Sequence, residues 1–190
     1  MLLAFDSPFE VGCTLIAAAV HESAHLFAFF LLGRSSSLPV PRLFGFRIYG
    51  KELLSYRSEI ICYASGPLAN LLAVAVAAPL AAISKEAYAT FAVINLATGL
   101  CNLLPVKGYD GYKLIHTVLS SSLNREVYIR ALDALSLLIT ALITFLTLYM
   151  IGRTGSGYWL FSVFFVSLLL EVASGVKNAE SENNRDFGRF

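Results

Sequence analysis

Residues 11–32 read VGCTLIAAAVHESAHLFAFFLL, an apolar stretch that contains the pentapeptide HESAH at 21–25. The stretch is long enough to cross a bilayer, which takes about 20 apolar residues in a helix. Residues four apart share one helix face, so His21 and His25 point the same way. Two imidazoles at this spacing can hold one divalent metal, most often zinc, and Glu22 can act as general base for a water. The pentapeptide therefore predicts a metal site inside a membrane-spanning helix.

The alternative is an accidental match, with two polar side chains that merely face a helix bundle. Ionisable residues in a spanning helix are costly, and they mark a functional site by default. This cost favours the metal-site interpretation of His21 and His25.

The composition indicates a membrane protein with little soluble mass. Hydrophobic residues make up 57% of the 190 residues and charged residues only 14%, whereas soluble domains carry about 25% charged residues. The formal net charge of +1 gives no indication of a nucleic-acid partner. We expect one integral membrane domain over 1–176, followed by a disordered cytoplasmic tail at 177–190.

Apolar length predicts an all-α polytopic protein with about five transmembrane helices. The predicted spans are 8–32, 60–83, 87–104, 131–151 and 158–176. The segment 38–58 is too polar to span, and its prolines and glycines predict a short hairpin or loop at the membrane interface.

The distribution of positive charge predicts the topology. Five spans would place 12 of the 14 basic residues on one side and leave Lys85 and Arg153 on the other. The positive-inside rule assigns the basic side to the cytoplasm. We therefore expect an external N-terminus, a cytoplasmic C-terminus and a cell-membrane location, with the active site toward the cytoplasmic side.

A catalytic zinc site takes three protein ligands and keeps one open position. Asp110 is the best candidate for the third ligand, because it follows the helix break at Pro105 on the predicted cytoplasmic side. The alternative is that Asp110 caps the N-terminus of the next helix. Spacing alone does not choose between these two roles.

The combined motifs resemble those of the site-2 proteases, a family of intramembrane zinc metalloproteases. The family pattern pairs HExxH with a later NxxPxxxxDG, which this chain carries at 21–25 and 102–111, and GPLAN at 66–70 resembles a motif of its middle helix. The resemblance covers 11–114 and implies a three-helix catalytic core within 8–114. It also implies one zinc ion per chain, with Asp110 as its third ligand. The compact chain most resembles the sporulation-type branch.

The resemblance implies hydrolysis of a peptide bond within or near the transmembrane segment of a membrane-tethered protein. The expected partners are a single-pass membrane protein as substrate, the lipid bilayer, and a regulatory membrane protein as a further possibility. Asn102 and Asn70 are candidates to bind the substrate or its oxyanion. Their alternative role is hydrogen bonding between helices. An extended substrate could pair with the hairpin around 44–48 by strand addition.

Two other functions are compatible with a polar membrane helix. The first is a catalytically silent protein that binds zinc and membrane partners. The second is a transporter or channel whose ionisable residues carry ions. His116 is expected at the surface, and the sequence leaves Glu171 open between reaching water and pairing inside the bundle.

Overall fold

The computed structural model describes residues 8–32, 40–42, 45–47, 54–154, 162 and 164–173. The chain divides into two compact units; the described residues up to Ile129 belong to the first, and those from Arg130 onward belong to the second. The first unit contains every residue of the predicted metal site. The predicted tail at 177–190 lies outside the described residues.

The first unit begins with two long apolar helices. Helix α1 is Pro8–Leu32, and at about 1.5 Å per residue its 25 residues extend about 37 Å. Helix α2 is Tyr56–Ala77 and begins after Ser55, whose hydroxyl accepts a hydrogen bond from the Ser58 N–H. A 3₁₀ helix over Ala78–Ala82 continues α2.

Between α1 and α2 lies a two-stranded antiparallel hairpin. Strand β1 is Val40–Arg42 and strand β2 is Gly45–Arg47, with Pro41 opposite Phe46. The sequence predicted a short hairpin or a loop over 38–58, and the structure shows the hairpin. Part of the 44–48 segment lies outside the described residues.

Helix α3, Lys85–Asn102, packs against both α1 and α2. Its approach to α2 is close, because a Cβ at Gly99 would lie 3.1 Å from the Pro67 carbonyl oxygen and 3.3 Å from the Asn70 Cβ. Small residues allow such approach in membrane bundles, where packing replaces the hydrophobic effect as the driving force. The contact positions α3 beside the pentapeptide helix.

A tight turn returns the chain from α3 toward the pentapeptide. Helix α4, Asp110–Ser120, follows it and packs on α2. A Cβ at Gly111 would overlap the backbone carbonyl of Leu103, so only glycine lets the start of α4 come this close to the end of α3. Gly108 adopts a φ of 99°, which glycine tolerates without strain.

The second unit contains most of helix α5, Arg125–Thr154, and a short apolar helix α6, Phe164–Ala173. Ser136, Thr140 and Thr144 form a buried row on α5. Glu171 is 8% exposed and lies 3.4 Å from the Thr140 hydroxyl. Of the two placements that the sequence left open for Glu171, the structure shows the one inside the bundle.

The predicted all-α membrane fold class, with a short hairpin after the first helix, is confirmed. Three described helical segments are long and apolar enough to span a bilayer: Pro8–Leu32, Tyr56–Ala82 and Arg125–Arg153. Helix α3 is not among them, because Lys85, Glu86 and two asparagines reduce its apolar character. The fifth predicted span is described only in part, as the ten residues of α6. The structure therefore supports three of the five predicted spans directly.

Candidate metal centre

His21 and His25 lie on one face of α1, as their spacing predicts. His21 is 5% exposed and His25 is half-buried. Their Nε2 atoms are 3.1 Å apart, with the two rings nearly perpendicular. Two ring nitrogens are thus directed at one point in the bundle.

Asp110 is the first residue of α4, and its Oδ2 atom completes a triangle with the two nitrogens. Oδ2 lies 3.0 Å from His21 Nε2 and 2.9 Å from His25 Nε2. Four ligands about 2.0–2.1 Å from a zinc ion are about 3.3–3.4 Å from one another, so the triangle is only slightly tighter than a zinc site. The structure brings together the three residues that the sequence predicted as ligands.

The outer nitrogens of both rings donate to protein acceptors. His21 Nδ1 lies 2.8 Å from the Asn70 Oδ1, and His25 Nδ1 lies 2.8 Å from the Cys62 carbonyl oxygen. Carbonyl oxygens only accept, so the hydrogen-bond network assigns a proton to each Nδ1. A neutral ring then carries a lone pair on Nε2. Metal-binding histidines are held in this way in known metal sites.

The chemistry of the triangle therefore fits a cation. Two ring nitrogens and one carboxylate oxygen face one another within 3.1 Å, and neutral rings with their protons on Nδ1 would present two lone pairs to the carboxylate. A divalent metal at the centre would turn this repulsion into coordination. Among the described residues, His21, His25 and Asp110 are the group with metal-binding geometry.

The second oxygen of Asp110 has its own partner. Lys113 Nζ lies 2.9 Å from Oδ1, which leaves Oδ2 directed at the two imidazoles. Burial raises the pKa of the Asp110 carboxyl, but the close polar contacts with His21 and His25 and the charge of Lys113 outweigh it and lower the pKa below its usual range. The carboxylate therefore stays ionised at neutral pH, as a metal ligand must.

Gly66 on α2 leaves room beside the two imidazoles. A Cβ at this position would overlap His25 Nε2 and would lie 2.8 Å from His21 Cε1. The sequence identified 66–70 by its resemblance to a middle-helix motif, and the contact of Gly66 with the metal-binding rings was not predicted.

We expect Gly66→Ala to lower zinc affinity strongly while the helical fold persists, because the new methyl group must displace the rings that bind the metal. Competition titration of zinc against a chromophoric chelator measures this loss. Gly12→Ala is the matched control on α1, since a Cβ there meets nothing within 4 Å. Equal zinc affinity in both variants would contradict the assigned role of Gly66.

Of the remaining predicted site residues, Glu22 and Asn70 adjoin the triangle through His21. Glu22 follows His21 on α1 and is half-buried. Asn102, at the end of α3, donates from Nδ2 to the Thr98 carbonyl oxygen at 2.9 Å. Asn70 is fully buried, and its Nδ2 donates to Ala17 O and Asn95 Oδ1, both at 3.0 Å. These contacts fit the helix-linking alternative for Asn70, because both of its donor directions are already used.

Several contacts of the site were not predicted from the sequence. The Cys62 carbonyl oxygen, which also accepts from the Ser65 hydroxyl at 2.7 Å, has no side-chain signature. Asn95 could have been identified from the sequence, because it is a polar residue within an apolar segment. The structure shows that it is buried. His116 stacks on Tyr112 with ring centroids 5.9 Å apart and is not a member of the metal-binding group.

Comparison with solved structures finds a likeness to the Site-2 Protease from Methanocaldococcus jannaschii. The TM-score is 0.48 and the identity 17%, over 84% of this chain and 71% of that chain. No protein-family model and no curated protein matches the chain. That protein bears the name of the family whose motifs this sequence resembles.

Proposed function

We propose that this chain is an intramembrane zinc metalloprotease of the site-2 protease type. It would hydrolyse a peptide bond within or near the transmembrane segment of a membrane-tethered protein. The observation that carries the proposal is the triangle of His21, His25 and Asp110, with both Nδ1 protons donated outward and Glu22 beside it on an apolar helix. The sporulation-type branch remains a prediction.

The ligand set favours zinc as the metal. Two imidazoles and one carboxylate are ligands that catalytic zinc sites use, and three protein ligands leave a fourth position open. A zinc ion held there would lower the pKa of a water molecule and polarise the scissile carbonyl.

The chain itself supplies proton transfer and orientation. Glu22 would take a proton from the attacking water and pass it to the leaving amine. Asn102 has two amide N–H groups, of which one donates to the Thr98 carbonyl oxygen, and we assign the other to the oxyanion of the substrate. We do not assign Asn70 to the oxyanion, because its amide N–H groups already donate hydrogen bonds to the Ala17 carbonyl oxygen and to Asn95 Oδ1.

A substrate helix hides its peptide groups in its own hydrogen bonds, so it must unwind before hydrolysis. The unwound segment would add as a strand to the hairpin of β1 and β2, which offers main-chain donors and acceptors at its edges. Main-chain pairing of this kind recognises an extended peptide backbone rather than a particular amino-acid sequence. The substrate class is therefore a membrane-tethered protein whose spanning helix unwinds easily.

The test of this function is co-expression with candidate single-pass membrane proteins. Cleavage fragments should appear with the intact chain and disappear when Glu22 is replaced by glutamine. The catalytically silent alternative predicts that neither chain produces fragments, while the transporter alternative predicts metal-dependent ion flux.

We also propose the topology with cytoplasmic α4 and external 84–86. In a background without native cysteines, a membrane-impermeant maleimide should label Glu86→Cys from outside the cell and leave Asn124→Cys unlabelled. Both positions are exposed; Glu86 lies just before the predicted third span, 87–104, and Asn124 lies between that span and the predicted fourth, 131–151. Both should react in permeabilised cells. External labelling of Asn124→Cys would overturn the topology and the cytoplasmic location of the site.

A further inference from the structure

Two asparagines form a polar link through the interior of the first unit. Asn70 on α2 and Asn95 on α3 are both 0% exposed. Neither is a metal ligand, and the proposed hydrolysis uses neither directly. Buried amides in an apolar bundle are costly unless they are fully hydrogen-bonded.

The hydrogen bonds of this link run in one direction only. Asn95 Nδ2 donates to the Phe91 carbonyl oxygen at 2.9 Å, so Asn95 Oδ1 faces Asn70 as an acceptor. Asn70 Nδ2 donates to that oxygen and to Ala17 O. Asn70 Oδ1 therefore faces His21 and accepts from its Nδ1 at 2.8 Å.

This directionality selects one tautomer of His21. An imidazole with its proton on Nδ1 completes the link and keeps the Nε2 lone pair for a metal. The other tautomer would place two acceptors against each other at Nδ1 and would put a proton on the metal-binding nitrogen. A reversed Asn70 amide would instead place Oδ1 against the Ala17 carbonyl oxygen, which also only accepts.

We propose that Asn95 is a positioning residue that acts through Asn70 to hold His21 in its metal-binding tautomer. The proposal rests on the metal-binding part of the proposed function and does not depend on proteolysis. Asn70 makes the direct contact, so its loss should have the larger effect. Asn95 shares the task of orienting Asn70 with Ala17, so its loss should have a smaller effect in the same direction.

The experiment measures zinc affinity of the purified full chain in detergent for Asn70→Leu, Asn95→Leu and the double variant. Loss of an outer hydrogen-bond partner typically weakens metal binding about 10–100-fold. We expect a loss in that range for Asn70→Leu and about tenfold, the lower end, for Asn95→Leu. The double variant should match Asn70→Leu alone, because Asn95 acts through Asn70.

A second measurement reports the tautomer without any metal. In the ¹⁵N-histidine-labelled, metal-free chain, the His21 ring nitrogen shifts should show Nδ1 protonated in the wild type. Asn95→Leu should show a mixture of both tautomers. A residue that only packs would leave these shifts unchanged.

Three further variants keep the test decisive. Thr98→Val on α3 removes a comparable side-chain bond, to the Ile94 carbonyl oxygen, and should leave zinc affinity unchanged. Asn95→Asp, in the protonated form that burial favours, keeps an oxygen for Asn70 Nδ2 and a donor for the Phe91 carbonyl oxygen. It should retain zinc affinity within about threefold, well below the 10–100-fold loss of a missing partner. Asn95→Ser replaces Asn95→Leu if the latter does not fold, since small residues fit helix interfaces.

Two results would overturn the proposal. The first is a loss of zinc affinity in Asn95→Leu no larger than in Thr98→Val. The second is additive losses in the double variant, which would mean that the two asparagines act independently. A chain that binds zinc as expected but cuts no substrate would contradict the proposed protease activity and leave this inference intact.

Discussion

Glu22→Gln should retain its zinc ion and lose proteolysis. The substitution is nearly isosteric and leaves His21, His25 and Asp110 in place, so metal stoichiometry should remain one per chain. General acid–base catalysis contributes about 10²–10⁴-fold to rate, so cleavage of a co-expressed single-pass substrate should fall by at least that factor. Substrate binding should persist, and crosslinking should recover the uncut complex.

The matched control is Glu10→Gln, the same change on the same helix about three turns away, and its cleavage rate should equal that of the wild type. A zinc chelator such as phenanthroline should stop the wild type by the separate route of metal loss. Cleavage by Glu22→Gln within about tenfold of wild type would show that Glu22 does not move the proton.

Asp110→Asn should lose both zinc and activity. Asparagine keeps the size of the side chain but not the charge, and the amide binds a metal ion more weakly than the carboxylate does. Because Asp110 is a direct ligand, the loss of zinc affinity should exceed the about 10–100-fold effect of an outer partner. Metal analysis and the same cleavage assay measure the two losses.

Two contacts of Asp110 need separate controls. Lys113→Met removes the ion pair to Oδ1 and keeps the carboxylate, so it should reduce zinc affinity much less. Helix capping does not explain a loss, because Tyr109 occupies the N-cap position of α4 and asparagine caps as well as aspartate. Asp110→Asn with wild-type zinc content would remove Asp110 from the ligand set.

The pentapeptide was predictable from sequence because its chemistry is local. His21 and His25 share a face by helical periodicity alone, and that face is observed. Asp110 was different, since a ligand and an N-cap look alike after a helix break. Its placement depends on the turn after α3 and on the contact that only Gly111 permits, and neither follows from periodicity.

The asparagines show a second limit of sequence analysis. For Asn70, substrate binding and helix linking require the same residue type, and only the three hydrogen bonds of its side chain distinguish them. Helix α3 was predicted as a span from its apolar length, yet its residue Asn95 is buried and hydrogen-bonded inside the bundle. The cost of Asn95 in a span is offset by its hydrogen bond to Asn70, a contact that depends on tertiary structure.

The side chain of Asn70 also specifies how three helices align along their axes. It contacts α1 twice, at Ala17 and His21, and α3 once, at Asn95. Sliding α1 by one turn, about 5.4 Å, would break both contacts to α1 together. Asn70 is fully buried, and in an apolar environment each unsatisfied polar group costs several kcal/mol. The Asn70 side chain therefore makes a shift of α1 along its axis unfavourable. The bundle has one strongly preferred alignment even before a metal binds.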